Sequence, residues 1–150
     1  MKNLILTALF ISVSMLLACQ PKVEAPIERQ TFVVENAWVR AMPPGRRMTA
    51  AYGELKNVGT VELRVNKFSS PQFSSVSLHE TILDSSGMSH MQEIHELILQ
   101  PGEIVILEPG GKHLMLMGMR DNKTETSSAA VIIKFEFEDP VSVEFSLRNL

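Results

Sequence analysis

The residues of this chain with the most chemical potential are histidine and methionine, and they are bunched. All four histidines, His79, His90, His95 and His113, fall within one stretch. Met88, Met91, Met115, Met117 and Met119 share it, and Met42 and Met48 precede it. The one cysteine, Cys19, lies far from this cluster. Thioether sulfur is a soft, neutral donor that favours Cu(I). Hard cations prefer carboxylates and carbonyls, and Zn²⁺ prefers thiolate, imidazole or carboxylate. A thioether needs no deprotonation before it binds, and methionine oxidises more slowly than an exposed thiolate. A mixed His/Met set therefore suits Cu(I) outside the cytoplasm.

The spacing brings the donors together. Alternate side chains of a strand share a face. His113-Leu114-Met115-Leu116-Met117 thus places Leu114 and Leu116 on one face and His113, Met115 and Met117 on the other. The Leu face can supply a core and leave the His/Met face free. The packing alternative is a second apolar layer made by the methionines, which are common gap-fillers. Upstream, Asp84-Ser85-Ser86-Gly87 reads as a hairpin turn. Centred near Ser85, it sets His79 close to cross-strand from Met91. Two His/Met pairs on neighbouring short strands can then converge on one four-coordinate site built from His79, Met91, His113 and Met115. Taken singly, His79 could be a surface histidine and Met91 a core residue; the two pairs together favour a site.

Other chemistries lack their residues. A blue-copper centre needs a Cys thiolate beside two His, and Cys19 sits in the N-terminal segment. There is no G-x-S-x-G, no H-E-x-x-H and no phosphate loop. His79-Glu80 resembles the start of a zincin motif, but Leu83 stands where the second His belongs. Acid pairs such as Glu136 and Glu138 read as solvent-facing strand residues. No enzymatic activity is expected.

The elements that must hold the donors read as all-β. Short β-branched or alternating runs recur between turn signals: Thr31–Arg40, Ala50–Val58, Glu62–Ser69, Val76–Leu83, Met88–His95, Glu103–Leu107, Lys112–Met117, Ala129–Glu138 and Val141–Leu147. No segment carries a long 3.6-residue apolar period. This spacing predicts an antiparallel β-sandwich or Greek-key barrel over residues 31–150. A chain of 150 residues, 45% hydrophobic and with a formal charge of −3, is sized for one such domain. Its acidic balance gives no support to nucleic-acid binding.

Residues 1–18 read as a targeting segment. Met1-Lys2-Asn3 is a short positive start, and Leu4–Leu17 is an apolar stretch too short to favour a stable membrane span. Leu16-Leu17-Ala18-Cys19 resembles a bacterial lipobox, which implies cleavage before Cys19 and lipid on its sulfur. No disulfide is then possible, so a hydrophobic core must hold the fold. Residues 19–30 read as a lipidated tether, rich in Pro and charge. By resemblance to other bacterial lipoproteins, Gln20 after the Cys suggests the outer rather than the inner membrane.

The body of the sequence resembles the periplasmic copper chaperone family called PCuAC, whose signature is H-x10-M-x21-H-x-M. Met91 and His113 enclose twenty-one residues, and His113-Leu114-Met115 completes the H-x-M. The flanking text is similar as well: Ala37-Trp38-Val39-Arg40-Ala41-Met42-Pro43-Pro44-Gly45, Leu78-His79-Glu80, and Pro109 through Gly118. The likeness runs from about Val34 to Phe145. One departure is that His79 and Met91 enclose eleven residues, not ten. An extra residue in the Asp84–Gly87 turn would leave both ligands in place; the family spacing would instead put His90 at the ligand position, with Met88 a further substitute. Met91 is preferred because it keeps the twenty-one-residue interval and the soft donor.

The resemblance implies a cupredoxin-like β-sandwich that binds Cu(I) through His79, Met91, His113 and Met115. It implies a monomeric metallochaperone on the periplasmic side of the envelope. Its copper would pass toward the CuA centre of cytochrome c oxidase or to a Sco-like thioredoxin-fold protein. Two other readings stay open: a copper-buffering lipoprotein, with Met117, Met119, His90 and His95 adding capacity, and a metal-free structural lipoprotein whose Met stripe is core.

Overall fold

A computed structural model describes residues 31–42, 45–120, 128–136 and 139–149. The expected signal segment 1–18 and the tether 19–30, with Cys19, lie outside the described residues. Among those described there are ten strands and no helix. They are β1 (Phe32–Arg40), β2 (Met48–Asn57), β3 (Leu63–Ser69), β4 (Phe73–Leu83), β5 (Ser89–Ile94), β6 (Leu97–Leu99), β7 (Ile104–Leu107), β8 (Lys112–Met119), β9 (Ser128–Phe135) and β10 (Val141–Arg148). Nine match the runs read from sequence. The unexpected one, β6, is three residues long and pairs along β3 from Leu63↔Leu99 to Val65↔Leu97. A run that short carries no readable period.

The sheet closes on itself. Its path runs β4–β8–β2–β1–β10–β9–β3 and returns to β4 through the Phe68↔Val76 pair. Strand β2 is shared along its length: Met48–Ala51 pair with β8, and Gly53–Lys56 pair with β7. Strands β5 and β6 are flaps on β4 and β3. The all-β barrel or sandwich read from sequence is thus the fold, with two parallel pairings, β1–β10 and β7–β8, inside an otherwise antiparallel pattern. Strands β1 and β10 are the first and last of the domain, so the long connection that a parallel pair needs is already present.

The core is the inward face of these strands. Phe32, Leu55, Leu78, Leu99, Leu114, Leu116, Val131, Ile133 and Phe145 are all essentially inaccessible. One polar side chain is equally buried. Asn57 donates to the carbonyls of Val61 (2.8 Å) and Leu99 (2.9 Å), and its Oδ1 accepts from Gly59 N (3.0 Å). Its full set of partners removes the penalty of burying an amide.

A bulge in β1 controls which way its aromatic residue points. Glu35 opposes Glu54 and Trp38 opposes Tyr52, so Asn36 and Ala37 together face Gly53. Asn36 takes a φ of 53° and bonds Glu54 Oε1 through its amide (2.8 Å). Gly53 has a φ of 152°, and a Cβ there would lie 3.0 Å from Glu35 O. The extra residue switches the inward set from Phe32 and Val34 to Ala37 and Val39. Trp38 is thereby turned out of the core.

The two faces of β8 should differ in energetic weight. Leu116→Ala removes a fully buried side chain and is expected to cost about 2–5 kcal/mol in urea unfolding. Met117→Leu, on the outward face beside it, should cost less than about 1.5 kcal/mol.

Candidate metal centre

Strand β8 alternates as its sequence demands. Leu114 and Leu116 enter the core, and His113, Met115 and Met117 lie on the outer face. The neighbouring strands extend this face into rows. His113 pairs directly with His79 on β4, and His79 pairs with Glu93 on β5. On the other side Tyr52 of β2 lies next to His113, with ring centroids 6.5 Å apart, and Trp38 stands 4.4 Å beyond Tyr52. The next row is Ala50–Met115–Ser77, and the one after it is Met48–Met117–Ser75. The site is therefore on the outside of the barrel wall rather than in its interior.

The two imidazoles face each other at 6.0 Å between centroids, with planes 25° apart. His113 is buried, and its Nδ1 lies 3.1 Å from the carbonyl of Gly111. A carbonyl only accepts, so Nδ1 carries a proton, and in the neutral ring Nε2 is then the nitrogen with the free lone pair. The same Gly111 carbonyl accepts from Thr81 N (3.2 Å), which ties the Glu108–Gly111 turn to β4. The ring of His113 is thus fixed by a backbone group that is itself fixed. On His79, Nε2 lies 2.9 Å from Ser77 Oγ. Its Nδ1 is buried and has no hydrogen-bond partner among the described residues. A buried nitrogen left unpaired is costly, and a lone pair offered to a cation would remove that cost.

Met91 comes from the hairpin. The turn begins as expected at Asp84, but it centres on Ser86 rather than near Ser85. Asp84 O accepts from Gly87 N (3.0 Å), Met88 O accepts from Asp84 N (2.9 Å), and Gly87 sits at a φ of 81°. This is a turn followed by a left-handed glycine bulge. The shift sets Met91 opposite Thr81, with Glu93 opposite His79. Met91 is consequently a diagonal neighbour of His79 rather than its direct partner, but it stays on the His79 face. His90 opposes Ile82 and occupies the other face of the hairpin.

A cavity of about 440 Å³ opens here, lined by Met91, His113 and Met115 together with Tyr52, Thr81 and Met48. Arg40, Arg46, Thr49, Ala50, Pro109 and Gly110 complete its walls. Met91 is 58% exposed, whereas His113 is 5% exposed. The cavity thus has a fixed, buried imidazole floor and an exposed thioether at its open side. Burial raises the phenol pKa of Tyr52, and the Arg40 charge offsets this in part. The Tyr52 hydroxyl therefore stays protonated. Among the described residues no three of His, Cys, Asp and Glu gather as a metal-binding group. The further donors that line the cavity beside the imidazole are thioethers, Met91, Met115 and Met48.

The other candidates separate. Met88 sits at the hairpin tip, 67% exposed. The His95 side chain is 83% exposed, with Nδ1 3.8 Å from Glu93 Oε1. Gly118, at a φ of 65°, breaks the alternation of β8, and Met119 turns to pack against the core. Trp38, Tyr52, Met48 and Arg46 also border the site, and the sequence does not single them out. Their place depends on cross-strand register, which leaves no local signal.

The hairpin is held by Asp84, whose Oδ1 accepts from Ser86 N (2.8 Å), Ser86 Oγ (2.6 Å) and Met88 N (3.0 Å). The bond from the Ser86 hydroxyl, then that from the Met88 amide, holds its carboxyl pKa below the usual value of 3.8. A depressed folded-state pKa stabilises above the unfolded value, and that support is lost as pH falls through the lowered one. NMR amide shifts of Ser86 and Met88 should therefore titrate together with a midpoint below 3.8. Asp84→Ala should abolish the titration and speed amide exchange along β5.

Several known proteins are similar to this chain. A family model described as "Putative lipoprotein LpqE-like" matches residues 32–147. "Putative lipoprotein Lxx21020" of Leifsonia xyli subsp. xyli is 38% identical over 122 residues, 77% of this chain and 72% of that protein. Among solved structures, the copper-bound PCuAC domain from PmoF2 superposes with a TM-score of 0.64 at 21% identity, over 80% of this chain and 94% of that one. The solution structure of CuI-DR1885 from Deinococcus radiodurans gives a TM-score of 0.60 at 26% identity, over 79% and 80%.

Proposed function

The chain belongs to the LpqE-like family, and we propose that it is a Cu(I)-binding metallochaperone whose ligands are His79, Met91, His113 and Met115. The observation that carries the reading is the His79–His113 pair. Two imidazoles are directly cross-strand, one with its tautomer set by Gly111 O and the other with a buried, unpartnered Nδ1. Met115 and Met91 share their face and line the same cavity as His113. Two neutral nitrogens and two thioethers make a soft donor set without charge, which suits Cu(I) over harder ions. Copper-bound and Cu(I)-bound relatives of the same fold support this choice of ion.

Copper is cargo here, so the activity is binding and exchange with no bond made or broken on a substrate. His113 would anchor the ion because its ring cannot turn without breaking its bond to Gly111. Met91 would release first, since it is the exposed ligand and stands on a hairpin at the edge of the sheet. A donor from an acceptor protein could enter at that side and displace it. The acceptor we propose is the CuA centre of cytochrome c oxidase or a Sco-like thioredoxin-fold protein. Lipid on Cys19 would hold the domain on the periplasmic side of the envelope, at the outer membrane. The tether 20–30 would span at most roughly 3.5 Å per residue, so a soluble carrier would be needed to reach an inner-membrane oxidase.

Cu(I) binding to the purified chain in competition with a chelator tests the reading. One tight Cu(I) is expected. Met91→Leu and Met115→Leu should each weaken it tenfold or more, about 1.4 kcal/mol, whereas His90→Ala should leave it in place. Failure to compete for Cu(I) would overturn the proposal. Binding that survives Met91→Leu but fails with Met115→Leu would move the fourth ligand elsewhere on the hairpin.

A further inference from the structure

The methionines on the outer face do not end with Met115. Met48 and Met117 are directly opposite each other on β2 and β8, and the pair beside them is Ala50↔Met115. We propose that Met48 and Met117, with Met115 next to them, form a second site for a soft monovalent ion, Cu(I) or its redox-inert analogue Ag(I). This inference rests on thioethers alone and does not require His79 and His113 to be ligands.

Three observations support it. First, the geometry is within reach. Directly opposed residues have Cβ atoms about 4.5–5.5 Å apart, and each Met side chain has three rotatable bonds with which to place its sulfur. Taking the zinc–thiolate bond of about 2.3 Å as the scale of a metal–sulfur bond, two sulfurs on opposite sides of one ion stand about 4.6 Å apart. Second, the surroundings leave the thioethers room. Met117 is flanked on its other side by Ser75, and Met115 lies between Ala50 and Ser77. Third, packing does not account for them. Met48 is 49% exposed and both methionines lie outside the core cluster, so they do not fill a gap in the interior.

Position gives the second site a role. Met48 and Met115 line the same cavity as Met91 and His113. Met115 belongs to both donor sets. An ion can therefore step between them by exchanging one thioether at a time, without being released to water. Two thioethers suffice for a linear soft ion while Met115 serves the His pair. The Met48/Met117 pair is thus an entry or exit station, weaker than the His/Met site because it lacks imidazole.

Ag(I) titration of the full chain, followed by native mass spectrometry, tests this. Wild type should take two Ag(I), and the Met48→Leu/Met117→Leu variant should take one. A His79→Gln/His113→Gln variant, checked for folding by circular dichroism, should still take one. Adding Met48→Leu and Met117→Leu to it should raise the Kd for that ion at least tenfold. The proposal is overturned if Met48→Leu/Met117→Leu keeps the stoichiometry and Kd of wild type, or if the folded His-less variant takes no Ag(I). Failure of the His79/His113 reading would look different: the His-less variant would then bind as wild type does.

Discussion

Neighbouring residues in β8 must face opposite sides of the barrel wall, and the site follows from that constraint. The inward set, Leu114 and Leu116, is wholly buried and anchors the strand among β2, β4 and β7. The outward set, His113 and Met115, is freed from packing duty by that anchoring. A one-residue slip would exchange the two sets, burying the donors and exposing the leucines. The core thus fixes the donor face in register, and the stability of the fold and the geometry of the site share one cause.

The donor face is completed from neighbouring strands by two local irregularities. The bulge at Asn36–Ala37 rotates Trp38 outward, where it covers Tyr52, and Tyr52 in turn flanks His113. Arg148 of the last strand lies over the Trp38 ring at 5.3 Å, which ties this aromatic wall to the parallel β1–β10 pair. On the other side, the glycine bulge at Gly87 sets a hairpin register that keeps Met91 on the His79 face.

The candidate site is asymmetric. On its imidazole side His113 is buried and oriented through Gly111. Its thioether side is open, with exposed Met91 on a strand that pairs, among the described residues, only with β4.

Much of this is legible in the linear order of residues. Period-two runs between turn signals mark nine of the strands and the all-β class, because alternation is a local property. The same alternation separates Leu114 and Leu116 from His113 and Met115 within a single strand. The bunching of His and Met, with a lone cysteine far from them, points to soft-metal chemistry. What lies side by side is a different matter. The direct His79↔His113 pair, the diagonal place of Met91, the Met48↔Met117 pair and the Tyr52–Trp38 wall all depend on register between strands. Register is set by which apolar faces must meet in the core and by bulges of a single residue. A linear pattern of residue types shows which faces exist, and only the closed barrel fixes which of them become neighbours.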